Sequence, residues 1–76
     1  MLERQVMKMI NTKKVKERIR EKKTTITVLA ERIYLTAYSL GQKILNNKPM
    51  TLSEAFALAA LLEIPDAEFF LYFRDG

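Results

Sequence analysis

The spacing of apolar residues along the chain predicts a series of short helices. In the first of these, Val15 and Ile19 stand at i and i+4 among basic residues, which is the spacing of an inward helix face. Asn11 or Thr12 is placed to cap this helix, and its pattern ends near Lys23.

Two further helices follow, separated by only a few residues. Thr25 can cap the second helix of the chain. The buried stripe of that helix is predicted to be Leu29, Ala30 and Ile33. Thr36 can cap the third helix, in which Leu40 and Ile44 share the inner face. Two short helices in this order predict a helix-turn-helix.

A fourth and a fifth helix complete the pattern. The fourth is expected to open at Ser53 and to run to about Glu63, because Pro65 cannot continue a helix. Asp66 can cap a short fifth helix over residues 67–73.

These segments predict an all-α fold of five helices. Residues 1–11 form an N-terminal extension, either a continuation of the first helix or a tail, and residues 12–76 form the helix-turn-helix domain. No useful length of the chain alternates apolar and polar residues, and residues 24–28 are the one β-prone stretch. We therefore expect no β-sheet.

Composition removes several classes of function. The 76 residues include no Cys, no His and only two glycines, which excludes thiolate or imidazole metal sites, disulfides and glycine-rich phosphate loops. The longest apolar run, Ala55–Leu62, has eight residues, whereas a membrane-spanning helix needs about 20. We expect a cytoplasmic protein that has no cofactor, metal or small-molecule ligand and does not contact a membrane.

Charge is divided unevenly along the chain. Residues 1–32 hold ten basic and four acidic side chains, whereas residues 33–76 hold three basic and five acidic ones. The basic half favours contact with a polyanion, and the acidic, apolar half favours contact with protein. The alternative for the basic half is a solvated helix surface.

Several segments, taken in order, resemble one known family. They are Val15-Lys16-Glu17-Arg18-Ile19, Leu29-Ala30-Glu31-Arg32-Ile33, Leu40 with Ile44, Pro49-Met50-Thr51-Leu52-Ser53-Glu54-Ala55, Ile64-Pro65-Asp66 and Tyr72-Phe73. Over roughly residues 12–74 the chain is similar to the lambda-repressor-like or Cro-like helix-turn-helix proteins, the XRE family. This resemblance implies a five-helix DNA-binding domain.

The resemblance also implies which residues contact DNA. The groove-facing set on the third helix is Ala37, Tyr38, Ser39, Gly41, Gln42 and Lys43. Gln42 can bond to adenine, Lys43 to guanine or a phosphate, and Ala37 can touch a thymine methyl group. The residues expected at the phosphate backbone are Lys16, Thr25, Thr27, Asn46, Asn47 and Lys48. Lys13 and Lys14 are expected to add charge nearby. The alternative is an ordinary surface on a domain that does not bind DNA.

Three positions are unusual in this setting. Ile26 stands where family members usually have a glutamine that grips a phosphate, and Tyr34 replaces the turn glycine. Tyr34 must accept an unusual backbone or re-form the turn. Gly41 inside a helix costs roughly 1 kcal/mol relative to Ala, which suggests a close approach of the backbone to DNA or to the second helix.

Apolar residues surround the last two helices. The spacing of Phe69, Tyr72 and Phe73 docks the last helix on the core. A helix that is apolar all round is buried on more than one side, and the chain has few elements left to cover it. We expect an intersubunit contact; a chance apolar surface or cover by residues 1–10 are the alternatives. The expected dimer contacts are Ala57, Ala60, Phe70 and Leu71.

The leading functional prediction is a sequence-specific transcriptional regulator of the phage repressor or Cro type. It binds a two-fold operator in double-stranded DNA as a homodimer. A second prediction is an antirepressor or co-repressor that binds a partner repressor protein through its apolar C-terminal face, and an antitoxin of the same fold is a third. Catalysis is not expected, because the carboxylates, lysines and tyrosines show no convergent spacing.

Overall fold

The computed structural model describes residues 7–75, with side chains from residue 8 to residue 74. These residues form five α-helices and a small sheet of three strands. In chain order the elements are β1 (Met7–Ile10), α1 (Thr12–Glu21), α2 (Ile26–Arg32), α3 (Ala37–Leu45), β2 (Met50–Thr51), α4 (Leu52–Leu61), a 3-10 turn (Asp66–Glu68), α5 (Phe69–Tyr72) and β3 (Phe73–Asp75). In this part of the chain, no helix has the length and hydrophobicity that a membrane span requires.

Side-chain caps begin the first three helices where the sequence predicts them. Asn11 accepts the backbone N–H three residues later at 3.2 Å, so Asn11 and not Thr12 caps α1. Thr25 caps α2 and Thr36 caps α3 in the same way, at 3.2 and 3.0 Å. The β-prone stretch is therefore helical from Ile26 onward, because the Thr25 cap satisfies an N–H group that a helix start leaves unpaired.

The fourth helix begins and ends earlier than its pattern predicts. Its N-cap is Thr51 and not Ser53, and Thr51 forms a capping box with Glu54 through hydrogen bonds of 3.1 and 3.0 Å. The helix ends at Leu61, because Glu63 adopts a left-handed backbone with φ of 56°. The N–H groups of residues 63 and 64 then bond to carbonyls of the last helical turn, which closes the helix.

The expected fifth helix is divided between three kinds of structure. Asp66 opens a 3-10 turn that none of the described side chains caps, so the predicted capping role of Asp66 is wrong. The α-helix itself is the single turn Phe69–Tyr72, and Phe73 already lies in β3. Phe73 is extended because it pairs with Ile10 of β1.

A three-stranded antiparallel sheet accompanies the helices, so the all-α prediction is wrong in this respect. β1 lies in the centre, between β2 and β3. Residues 7–10 are therefore neither a helix extension nor a tail, and residues 1–6 lie outside the described part of the chain. No strand has more than four residues in the described part of the chain, which is too short for a period of two to become visible in the sequence.

The core collects side chains from both helices and strands. Val15, Leu40 and Ile44 are fully buried, as their spacing predicts. Met50 of β2 and Phe73 of β3 are buried to the same degree, so the sheet closes the core that the helices begin. Partly buried side chains pack around it: Ile19, Ile26, Ile33, Leu35, Leu61 and Phe69.

Arg18 ties α1 to the end of α4. Its Nε donates to the carbonyl of Leu62 at 2.8 Å, and its Nη2 donates to the carbonyl of Glu63 at 2.7 Å. Both carbonyls follow the last helical residue, where a positive charge is favourable. Arg18 is therefore a structural cation, although it belongs to the basic half of the sequence.

Candidate nucleic-acid interface

The connection between α2 and α3 has the order of a helix-turn-helix. Residues 33–36 link the two helices, and Tyr34 among them has a left-handed backbone with φ of 61°. The N–H of Leu35 returns to the carbonyl of Ala30 at 2.9 Å, which closes α2. Tyr34 was expected either to accept an unusual backbone or to re-form the turn, and the structure has the unusual backbone. The side chain of Tyr34 is 95% exposed and does not hold the turn.

The outward face of α3 presents mainly small and apolar side chains. Leu40 and Ile44 are fully buried, so the opposite side of the helix faces solvent. Tyr38 is 76% exposed on that side, and Ala37 is exposed at the first residue of the helix, one turn before Leu40. Leu45 is 51% exposed at the other end, a position that the sequence reasoning missed. The sequence spacing could have identified Leu45, because it lies two helical turns after Tyr38 and therefore on the same face.

Ser39 and Gly41 are half-buried positions of α3. The N–H of Ser39 donates to the hydroxyl of Thr36, which caps the helix, at 3.0 Å. A Cβ built at Gly41 would meet no described neighbouring atom within 4 Å. The predicted close approach of Gly41 to the second helix is therefore wrong, because the space beside it accepts a methyl group.

Gln42 is held by Asn46, the residue directly after α3. The Nδ2 of Asn46 donates to the Oε1 of Gln42 at 2.7 Å, one helical turn apart. This bond orients the amide of Gln42 and uses one of the two lone pairs of its oxygen. The second lone pair and both N–H groups remain for a ligand.

Lys43 is paired with α4. Its Nζ lies 2.7 Å from Oε1 of Glu54, and each side chain is 22% exposed. Burial raises the pKa of Glu54, but the hydrogen bond and charge of Lys43, together with bonds from Thr51, outweigh it and hold that pKa below its ordinary value. The carboxylate that caps α4 therefore also holds the one cation of α3.

Most of the polar residues expected at a phosphate backbone lie at the start of α2 and after α3. Thr25 and Thr27 are exposed at the start of α2. The hydroxyl of Thr25 accepts a backbone N–H at 3.2 Å, and its hydrogen can still be donated to an anion. Asn46, Asn47 and Lys48 are exposed in the segment after α3. These two groups flank the outward face of α3 along the chain.

A basic cleft lies beside this face, and we define it by Lys13, Lys16 and Arg20 of α1. Lys16 and Arg20 line two adjoining depressions. The other residues that line them are Thr12, Lys13 and Glu17 in one, and Ile19, Thr24, Ile26 and Leu45 in the other. The structure thus brings Lys16 together with the start of α2 and the end of α3.

Arg20 is the cleft residue that the sequence reasoning missed. Lys13, Lys16 and Arg20 are all exposed and stand at i, i+3 and i+7 on α1, a spacing that could have identified them as one face. Lys14 lies elsewhere, because its Nζ is 5.3 Å from the ring centroid of Tyr72. Only part of the basic sequence therefore belongs to the cleft.

The residues expected in a dimer differ in exposure. Phe70 and Leu71 of α5 are 65% and 42% exposed. On α4, Ala60 is exposed and Ala57 is half-buried. Three of the four are thus open to solvent, and Ala57 is partly covered by the rest of the chain.

Phe56 of α4 adds an exposed aromatic side chain next to α5. It is 56% exposed, and its ring centroid lies 5.0 Å from that of Phe69, which stacks in turn on the buried Phe73 at 4.9 Å. We call Phe56, Phe70 and Leu71 the aromatic face. Phe56 lies one helical turn before Ala60, and this spacing could have identified it.

Comparisons with known proteins add no family to this picture. A scan against protein-family models and searches of curated proteins and of solved structures each found no match to this chain. The function is therefore inferred from the residues and geometry of the molecule itself.

Proposed function

We propose that this protein is a sequence-specific DNA-binding transcriptional regulator with a lambda-repressor-like domain. In this proposal it acts in the cytoplasm, as a homodimer on a two-fold operator, and catalyses no reaction. The observation that carries the proposal is the exposed face of α3 beside the basic cleft of α1. A helix of nine residues with one open face fits the major groove, which is wide enough for an α-helix.

Base reading is assigned to the outward face of α3. Gln42 can accept from and donate to an adenine edge, and Ala37 can contact a thymine methyl group. Tyr38, at the N-terminal end of the helix, adds a ring and a hydroxyl where recognition helices usually contact bases. Lys43 is left out of this set because Glu54 holds it at 2.7 Å.

Phosphate binding is assigned to the residues around that face. Lys16 and Arg20 are exposed beside the end of α3 and supply charge without reading sequence. The hydroxyl of Thr25 can donate to a phosphate at the start of α2. Asn47 and Lys48 lie after α3, so they can bind the backbone on the other side of the groove.

The homodimer is assigned to the aromatic face. Phe56, Phe70 and Leu71 are each more than 40% exposed, and burying one such side chain fully is worth roughly 1.5–3 kcal/mol. A two-fold interface uses each of them twice, because both subunits contribute the same surface. Two recognition helices would then face successive major grooves of a palindromic site.

Selection of bound sequences from a random DNA pool tests this proposal. The selection is run at near-physiological salt, and sedimentation of the same protein sample reports its oligomeric state. An enriched palindrome together with a dimer is the expected result. No enrichment above the starting pool would contradict DNA reading.

A second candidate function is an interaction module that binds another regulator. The observation that favours it is the number of exposed large apolar side chains, which are Val28, Tyr34, Tyr38, Leu45, Phe56, Phe70 and Leu71. Large exposed apolar patches mark sites of protein–protein contact. A tight protein partner combined with no DNA enrichment would favour this function over the first.

A further inference from the structure

The outward face of α3 has no net charge once Lys43 is paired with Glu54. From this pairing and the apolar residues beside it, we propose that the recognition helix selects A·T base pairs and rejects G·C at the positions it faces. This inference rests on the proposed function and specifies the class of DNA that it binds.

Guanine is read most often by Arg or Lys, because its major-groove edge carries two acceptors. Lys43 is the only basic residue in α3, and its Nζ lies 2.7 Å from Glu54. Release of Lys43 would leave a half-buried carboxylate without its counter-charge, which is costly. The helix therefore offers guanine no charged donor.

The remaining groups on this face match adenine and thymine. Gln42 keeps one lone pair on Oε1 and two N–H donors beyond its bond to Asn46, and adenine presents one donor and one acceptor. Ala37, Tyr38 and Leu45 are exposed apolar surfaces. Of the four bases only thymine places a methyl group in the major groove, so these surfaces favour it.

The exposed cations of α1 that lie beside the end of α3 do not change this preference. Lys16 and Arg20 line a depression together with Leu45 and the start of α2. At the edge of the groove they meet phosphates, which are the same for every sequence. Affinity and base preference are thus carried by different helices.

Competition with defined duplexes tests the inference, starting from the site that selection yields. Replacing a groove-facing A·T pair by G·C should lower affinity at least about fivefold. Replacing a groove-facing thymine by uracil should lower it about fourfold, because one methyl contact is lost. Selected half-sites with G·C at these positions would overturn the inference and leave the proposed function standing. Failure to select any site would overturn both.

Two variants separate Lys43 from Gln42. The double variant Lys43→Met with Glu54→Gln removes the ion pair without changing net charge, and the glutamine can still accept the capping N–H of Thr51. Its base preference should match that of the wild type. Gln42→Ala should instead relax preference at one A·T pair. A new preference in the double variant, with its helical circular dichroism intact, would mean that Lys43 reads bases and would overturn the inference.

Lys48→Met is the matched control for charge. Lys48 is exposed after α3, so losing it should weaken binding to A·T and G·C duplexes by the same factor. A loss confined to one class of duplex would place a base reader outside α3 and would overturn the inference.

Discussion

Replacing Tyr34 by glycine should stabilise the protein. Tyr34 has φ of 61° and a side chain that is 95% exposed, so the ring contributes almost no packing. A left-handed backbone costs a residue with a Cβ about 1–2 kcal/mol, whereas glycine adopts it freely but loses about 0.5–1 kcal/mol more conformational entropy on folding. The difference predicts a gain of about 0.5–1 kcal/mol in the free energy of unfolding.

Urea denaturation and thermal unfolding measure this gain. For a domain of this size it corresponds to a rise in Tm of about 2–8 °C. Two controls isolate the backbone. Tyr34→Ala keeps the strain and should give no gain, and Asn47→Gly should give less, because Asn tolerates φ of 53° better than Tyr tolerates its own. Equal stability of Tyr34→Gly and wild type, or a gain in Tyr34→Ala, would refute the reasoning.

Three further predictions follow from the same geometry. The double variant Phe70→Glu with Leu71→Glu should be folded and should sediment as a monomer. A wild type that is itself monomeric at a concentration on the order of tens of micromolar would contradict the assigned interface. Because the folded pKa of Glu54 lies below its ordinary value of 4.5, its pairing with Lys43 stabilises the fold above that pH and is lost as pH falls through the folded pKa. The free energy of unfolding, measured in urea at a series of acid pH values, should therefore fall less steeply with falling pH in the Lys43→Met with Glu54→Gln variant than in the wild type. The same pH dependence in both proteins would mean that the pair does not contribute to stability. The logarithm of the DNA-binding constant should fall with the logarithm of salt concentration at a slope steeper than about −3, and Lys16→Ala should make this slope shallower by about one. A wild-type binding constant that does not change with salt would exclude phosphate contacts by the basic cleft.

Local interactions determined the parts of the structure that the sequence predicts. The caps at Asn11, Thr25 and Thr36 each join a side chain to an N–H three residues away, so the residue type and its position suffice. The inward residues Leu40 and Ile44 follow from helical spacing in the same way. The candidate face of α3 was predictable because the buried side of the helix, formed by Leu40 and Ile44, determines which side faces solvent.

Tertiary structure alone decided the sheet, the paired state of Lys43 and the position of the basic cleft beside α2 and α3. β1 becomes a strand only because β2 and β3, distant in sequence, flank it. Glu54 caps α4 and holds Lys43 because packing brings α3 and α4 together. Arg20 joins the cleft because α1 lies beside the start of α2 and the end of α3. Each of these contacts joins residues that no local period relates, so their free energy exists only once the chain has folded.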